Sequence, residues 1–152
     1  MTQGNRKHIE YVRWQSSYSV GNEKLDNQHK KIIEFLNTLY WTLREGMQRQ
    51  VLLSILDELN DYTLTHLREE EELLKACNYP DYETHWGMHE KLKARTFRFR
   101  KRFQYDYQAE FVSDFFEFLK EWWIAHITQV DKKYEPYLKK SDMTQSDNTR
   151  SQ

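Results

Sequence analysis

The chain has 152 residues, of which 38% are hydrophobic and 15% aromatic, and its formal net charge is -1. These values predict one globular domain, and the near-neutral charge gives no general attraction to nucleic acid or to an anionic membrane. No apolar run approaches the roughly 18 residues of a membrane span, and the N-terminus lacks the apolar stretch of a secretory signal, so we expect a cytoplasmic protein without membrane insertion. The single cysteine, Cys77, cannot form an internal disulfide, which agrees with a reducing compartment.

Apolar residues recur at steps of three or four along most of the chain, and only four Gly and two Pro interrupt them. This pattern predicts an all-α fold. After an extended N-terminal arm, Asn22 is the expected N-cap of a first helix over roughly residues 22–43. The second helix ends before Pro80, because proline disfavours helical geometry in the preceding residue. A third helix follows at once and a fourth after QYDYQ, and such short connections favour an antiparallel up-down-up-down four-helix bundle.

The sequences at both ends of the chain are polar and lack helical periodicity. We therefore divide the chain into an N-terminal extension over residues 1–13, the bundle over residues 14–138 and a flexible polar tail over residues 139–152. Both end segments are expected to be mobile, because they offer little apolar surface for burial.

Polar residues interrupt the apolar stripes of all four helices. Five of the six histidines fall on positions that otherwise hold Leu, Ile, Phe and Trp, and only His8 precedes the helices. The imidazole and carboxylate residues concerned, on the stripes or just beyond them, are His29, His66, Glu70, His85, His89, His126 and Asp131. Because buried polar groups need partners, a set of this size predicts a shared site rather than isolated core histidines.

Chain direction brings these seven residues to one end of the bundle. In an up-down bundle the starts of the first and third helices lie beside the ends of the second and fourth, and the seven residues occupy those four places.

Imidazole and carboxylate ligands together suit iron, zinc, copper or manganese. Seven ligands are too many for one tetrahedral zinc, but they fit two metals if both carboxylates bridge. Ligand chemistry alone leaves the identity of the metal open.

The spacing of His126 and Asp131 in HITQVD conflicts with a regular helix, in which Asp131 would lie about 140° round the axis from His126. A shared site therefore requires a local irregularity. We predict a π-type turn here, or the end of the helix, or an approach of Asp131 from the flank of the site.

Four pieces of the sequence contain the seven residues in order, namely LDNQH, HLREE, HWGMH and HITQVD. Together they resemble the hemerythrin family, specifically its single-domain bacterial members. Trp14, Tyr18 and Gly21 also lie where such proteins have their N-terminal signature. The resemblance runs from about residue 14 to residue 138, and the complete ordered set is far more specific than one HxxxH motif.

The resemblance implies a non-haem di-iron centre, with two iron ions per chain bridged by carboxylates and by an oxo or hydroxo group. The ligand roles that it implies are three imidazoles on one iron (His85, His89 and His126), two on the other (His29 and His66) and two bridging carboxylates (Glu70 and Asp131). The second iron keeps an open position, where family members bind dioxygen. We therefore expect reversible dioxygen binding for storage or delivery, without catalytic turnover, and leave open a protein that receives the oxygen.

Two alternatives remain open at this point. The same centre could report oxygen or redox state to a partner, or it could serve a di-iron peroxidase or a protein that handles nitric oxide or iron. We expect no second domain that could transmit a signal, and no acid or base beyond the ligands stands out in the sequence, so both are ranked lower. The oligomeric state cannot be predicted.

Five apolar residues close in sequence to the ligands are candidates for the walls of a pocket that excludes water. They are Ile32, Leu67, Trp122, Trp123 and Ile127.

The segment KLKARTFRFRKRF interleaves cations with phenylalanine, a pattern that also occurs in nucleic-acid-binding proteins. However, Phe99 and Phe103 continue the inner stripe of the third helix, which leaves the cations mainly on outer faces. We expect a solvated surface and no nucleic acid. The acidic run REEEELLK is likewise expected to be exposed, except for Glu70.

Overall fold

We describe the protein from a computed structural model that defines residues 10–46, 49–105 and 109–140. Residues 1–9, which include His8, and residues 141–152, which make up most of the expected tail, lie outside the described residues. Within the described ranges the structure is helical and contains no strand. None of the described helices has the length and low polarity needed to cross a bilayer.

Four helices pack as an antiparallel up-down-up-down bundle, which confirms the predicted fold class. In chain order they are α1 (Glu23–Arg44), α2 (Arg49–Ala76), α3 (Tyr82–Tyr105) and α4 (Ala109–Phe118). After α4 the chain continues as π-helical turns over Leu119–Ile124 and His126–Val130 and a 3-10 turn over Asp131–Tyr134. A last helical stretch covers residues 135–140.

The ends of the helices follow the local sequence. Asn22 caps α1 as predicted, because its Oδ1 accepts a hydrogen bond from the backbone N–H of Leu25 at 3.0 Å. Asp26 adds negative charge to the first turn, where it complements the helix dipole. Between α2 and α3 the chain turns at Asn78, whose φ of 54° lies in the left-handed region that asparagine tolerates better than most residues.

The N-terminal arm packs on α1 from Tyr11 onward. The rings of Tyr11 and Tyr40 stack with centroids 4.3 Å apart. The backbone N–H of Val12 donates to Asn37 Oδ1 at 2.8 Å, and its carbonyl accepts from Asn37 Nδ2 at 2.8 Å. The ring of Tyr11 and the backbone of Val12 thus have partners on α1, although both residues belong to the segment expected to be mobile. The mobility of the arm stays a prediction. The division into domains stays a prediction.

The end of the fourth helical segment is π-helical at the place where the sequence required an irregularity. The backbone N–H of Asp131 donates to the carbonyl of His126, five residues earlier, which closes a π-type turn. The wider turn brings both side chains to the same side, with His126 Nε2 3.0 Å from Asp131 Oδ1.

The earlier π-helical stretch, Leu119–Ile124, was not predicted. The wider turns of this stretch shift the inward face by one residue. Of the two candidate wall residues here, Trp123 is therefore buried and Trp122 is only half-buried.

Two apolar clusters fill the bundle on either side of a polar layer. The larger cluster includes Leu36, Leu39, Leu56, Phe103 and Phe115. The smaller cluster consists of Val20, Leu25, Leu74, Tyr79, Tyr134 and Leu138. The polar layer is made of the seven predicted site residues. On α1, for example, His29 lies between Leu25 of the smaller cluster and Ile32 of the larger one.

Candidate metal centre

The structure brings all seven predicted site residues together in the polar layer. Each is buried, with an exposed fraction that ranges from 0% for Glu70 to 7% for His126. Their donor atoms form two groups, and within each group all of the atoms lie within 4.8 Å of one another. One group is Glu70, His85, His89, His126 and Asp131, and the other is His29, His66, Glu70 and Asp131. The two carboxylates belong to both groups.

The carboxylate of Glu70 divides its two oxygens between the groups. Its Oε1 lies 2.8 Å from His85 Nε2 and 3.2 Å from His89 Nε2. Its Oε2 lies 3.3 Å from His66 Nε2 and 3.4 Å from His29 Nε2. One oxygen therefore faces the three-histidine group and the other faces the two-histidine group.

The carboxylate of Asp131 is divided in the same way. Its Oδ1 lies 3.0 Å from His126 Nε2 and 3.3 Å from His85 Nε2. Its Oδ2 lies 3.1 Å from His29 Nε2. Without the π-type turn between His126 and Asp131, this carboxylate would point away from the layer.

All five imidazoles present Nε2 to the carboxylates, so Nδ1 lies on the far side of each ring. Two of these Nδ1 atoms have polar partners outside the seven residues. His66 Nδ1 lies 2.7 Å from Gln28 Oε1, and the amide of Gln28 donates to Glu69. His89 Nδ1 lies 2.8 Å from Glu71 Oε1. Such partners fix the ring orientation and the tautomer of a metal-binding histidine, and a carboxylate partner also makes the ring a stronger ligand.

A tyrosine completes the surroundings of Glu70. The buried hydroxyl of Tyr134 donates a hydrogen bond to Glu70 Oε2 at 3.0 Å. Burial, together with the nearby charges of Glu70 and Asp131, raises the pKa of Tyr134 well above its usual value, so the phenol keeps its proton and remains a donor.

The sequence did not single out Gln28, Glu71 or Tyr134. The acidic run on α2 was expected to be exposed apart from Glu70, and this is wrong for Glu71, whose side chain is only 15% exposed because it turns towards His89. For Tyr134 a signal was present, because it follows Asp131 by three residues, and residues three apart share one face of a helix. Gln28 carries no comparable signal. It directly precedes His29, and adjacent residues of a helix point in different directions.

The two buried carboxylates shift the pKa values of two of the histidines around them, and the histidines shift theirs. Burial lowers the pKa of His29, but the carboxylates of Asp131 and Glu70 outweigh it and raise the pKa to about 10. The pKa of His89 rises to about 9, since Glu70 and Glu71 outweigh the effect of burial. Burial and the charge of Glu70 raise the pKa of Asp131, but the histidines, His126 foremost, outweigh them and lower it to about 2. Protons and a metal cation would compete for the same ring nitrogens.

The donor set fits a transition metal. Imidazole with carboxylate suits iron, zinc, copper and manganese, whereas calcium and magnesium prefer oxygen ligands. Both ring nitrogens of His29 and both carboxylate oxygens of Asp131 are buried without a well-aligned hydrogen bond, although His29 Nε2 and Asp131 Oδ2 are close. Unsatisfied buried polar atoms are costly, and a cation between them would satisfy both residues.

The two groups differ in their distance from the surface. His85 lines a surface cleft of about 200 Å³ with Met88 and Val130. His126 lines a neighbouring cleft of about 290 Å³ with Trp122. His29 and His66 line neither of these clefts, and their exposed fractions are 0% and 2%. The three-histidine side therefore faces the surface, and the two-histidine side is enclosed.

Four of the five candidate wall residues are buried. They are Ile32, Leu67, Trp123 and Ile127. Ile32, Trp123 and Ile127 belong to the larger apolar cluster, which borders the polar layer. Trp122 instead lines the surface cleft of His126, so it does not share their burial. The role of these residues as the walls of a pocket stays a prediction.

Changing Glu71 to glutamine should weaken metal binding without unfolding the bundle. The substitution keeps the shape of the side chain but removes the carboxylate beside His89 Nδ1, and loss of such a partner lowers metal affinity by about 10–100-fold. Glu90→Gln is the matched control, because both carboxylates contact Lys93 but only Glu71 contacts His89. Competition with a graded series of chelators measures the affinity, and equal affinities for the two variants would contradict the prediction.

A four-helix bundle with imidazole and carboxylate ligands from all four helical segments defines a class of proteins that bind metal in the bundle core. Comparison with known proteins narrows this class. The hemerythrin HHE cation binding domain matches residues 20–138. The bacteriohemerythrin of Stenotrophomonas maltophilia is 35% identical over 127 residues, which cover 83% of this chain and 80% of that protein. The bacteriohemerythrin of Methylococcus capsulatus is 34% identical over 74% of this chain and 85% of its own length.

Solved structures agree with the sequence relatives. A wild-type hemerythrin crystal structure has a TM-score of 0.73 and 28% sequence identity, and the match covers 84% of this chain and 98% of that one. A point variant of a hemerythrin gives a TM-score of 0.74 with the same identity, over 86% of this chain. The chain belongs to the hemerythrin family. The sequence resemblance is thereby confirmed. The buried histidine and carboxylate cluster has the donor atoms to hold a metal ion, and the assignment of its seven residues as ligands stays a prediction.

Proposed function

We propose that the chain binds dioxygen reversibly at a di-iron centre and so stores or delivers oxygen. The observation that carries this proposal is the division of both buried carboxylates, since Glu70 and Asp131 each direct one oxygen to the three-histidine group and one to the two-histidine group. Two carboxylates divided in this way are suited to bridge a pair of metal ions. Membership of a cation-binding family supports the same reading.

The proposed ligand roles follow from the two groups of donor atoms. One iron would be held by His85, His89 and His126, the other by His29 and His66, and both would share Glu70 and Asp131. When bound, a diferrous pair supplies the electrons and the open coordination position that dioxygen needs. The open position would fall to the two-histidine side, which has one imidazole fewer and lines neither surface cleft.

The remaining residues of the site favour binding over turnover. Two carboxylates and five imidazoles bring less negative charge than the glutamate-rich sites of ferritin-like bundles, which favours the ferrous state. Two further titratable groups beside the ligands are already engaged, since the hydroxyl of Tyr134 donates to Glu70 and the carboxylate of Glu71 contacts His89. The burial of His29 and Ile32 keeps water from the two-histidine side, and exclusion of water protects an oxygenated state.

Reversible oxygen binding can be tested on iron-loaded protein prepared in the ferrous state without oxygen. Admitting oxygen should produce a new visible absorption band, and removing the oxygen under argon should make it disappear over several cycles. Resonance Raman spectra recorded with ¹⁶O₂ and ¹⁸O₂ should show that the band contains oxygen from the gas. Metal analysis should find two irons per chain.

Three results would contradict the proposal. A metal content far from two irons per chain would contradict the di-iron centre itself. Rapid oxidation without a band that outlasts mixing would favour the redox-sensor alternative. Continuous consumption of peroxide or nitric oxide with multiple turnovers would instead favour an enzyme.

A further inference from the structure

The cations of α3 are neutralised on the side that faces α2. Arg100 forms a two-pronged contact with the carboxylate of Asp57, at 2.7 and 3.0 Å. Lys93 pairs with Glu90 at 2.9 Å and lies 3.8 Å from Glu71. These residues therefore belong to the solvated, paired surface that the sequence predicts for the basic segment.

Three arginines on the other side of α3 have a different environment. Arg95, Arg98 and Arg102 line a surface cavity of about 500 Å³ together with Phe99. Their spacing of three and then four residues places all three on one face of the helix. A cavity of this volume lies within the range of sites that hold small molecules.

Within the residues that the structure describes, few carboxylates contact these arginines. Arg98 has no hydrogen bond or ion pair within the described part of the chain. Arg95 lies over the ring of Trp122, 4.7 Å from its centroid, instead of beside a carboxylate. Arg102 has one carboxylate, Asp114, at 3.7 Å between exposed side chains, a weak contact. Among the described residues, the three arginines of the cavity are contacted by one carboxylate, that of Asp114, in a chain whose formal net charge is -1.

We propose that this cavity is a binding site for a small anion that carries two or more phosphate groups. Guanidinium groups bind phosphate through paired N–H donors, and a guanidinium stacked on an aromatic ring keeps these edge donors available. Arg95 on Trp122 and Arg102 on Phe111, at 4.5 Å, are both stacked in this way. The three arginines can then engage different phosphate groups of one molecule.

The size and surroundings of the cavity favour a small anion over a nucleic acid. From Arg95 to Arg102 the helix rises only about 10 Å, enough for two or three phosphates. A carboxylate lies near each end of this span. Asp114 is exposed beside Arg102, and Glu121 lines the next cleft together with Trp122, on which Arg95 stacks. These carboxylates would repel a strand that continued past the cavity. The site does not depend on the proposed oxygen function.

Binding can be tested by isothermal titration calorimetry of the iron-loaded protein with trimetaphosphate, a polyphosphate that chelates metals weakly. We expect saturable binding of one molecule per chain at about 50 mM salt, where charge interactions are only partly screened. Arg98→Gln should weaken it at least about tenfold, since a hydrogen bond to a charged group is lost. Arg68→Gln, which removes an exposed arginine from α2, is the matched control and should bind like the unchanged protein.

Several outcomes would overturn the proposal. Absence of heat at millimolar trimetaphosphate would do so, as would equal weakening by Arg98→Gln and Arg68→Gln, which would show a diffuse charge effect. A single-stranded oligonucleotide that binds with an affinity rising with its length would assign the surface to nucleic acid. Co-sedimentation with anionic phospholipid vesicles, abolished by Arg98→Gln, would assign it to a membrane surface. Iron is measured after each titration, and heat that accompanies iron loss would count as chelation and so against the site.

Discussion

Replacing Glu70 with alanine should abolish stable retention of both metal ions. Glu70 is the residue whose carboxylate meets four of the five imidazoles, and it belongs to both groups of donor atoms. Loss of a residue that only supports a ligand lowers metal affinity by about 10–100-fold, so loss of a carboxylate shared by both metals should exceed about 100-fold. The iron content after gel filtration should therefore fall from two per chain towards zero.

Glu72→Ala is the matched control for this substitution. Glu72 lies two residues away in the same acidic run, is exposed, and belongs to neither group of donor atoms. Both variants should keep the helical circular dichroism of the unchanged protein, because the larger apolar cluster contains no site residue. Retention of two irons by Glu70→Ala would show that its carboxylate is not a shared ligand.

Replacing Phe103 with alanine should cost about 3–5 kcal/mol of the free energy of unfolding, the usual cost of truncating a buried aromatic residue. Phe103 is fully buried and packs edge-on against Phe111, with ring centroids 4.4 Å apart. In a chain of this length the loss corresponds to a fall in Tm of roughly 6–20 °C. Urea denaturation of the iron-loaded and the iron-free protein measures the effect, which should appear in both because Phe103 lies in the larger cluster rather than in the polar layer.

Phe97→Ala provides the comparison on the same helix. Phe97 is 59% exposed, and its substitution should change the free energy of unfolding by no more than about 0.5 kcal/mol. A similar loss in both variants would mean that α3 is oriented differently about its axis. Such a rotation would also contradict the convergence of His85 and His89 on Glu70.

The sequence was sufficient for the features that depend on helical periodicity and capping. Asn22 begins α1 because its side chain satisfies a backbone N–H of the first turn, and this chemistry is readable in one residue. His29 and His85 reach the same layer because short loops make successive helices antiparallel, so the starts of the first and third helices lie at the same end of the bundle. An irregularity between His126 and Asp131 was predictable because two buried polar groups had to meet across an unusual spacing, and the π-type turn is one of the three forms that the sequence allowed.

The sequence missed features that depend on which of several similar side chains is buried, or on contacts between elements that are far apart in the chain. Trp122 and Trp123 are both apolar, so nothing in their chemistry reveals that the π-helical stretch Leu119–Ile124 turns the second one inward. The partners of the ligands, such as Gln28, depend on side-chain distances between helices, which periodicity does not encode. The contact of Tyr11 with Tyr40 similarly joins an aperiodic arm to a helix face.

The polar layer between the two apolar clusters divides the bundle into units that can open separately. The smaller cluster, with Leu25, Tyr134 and Leu138, meets the rest of the molecule across histidines and carboxylates rather than across hydrocarbon. A bound metal joins the helices at this layer, so its loss lowers the cost of local opening at one end of the protein while the other end stays closed.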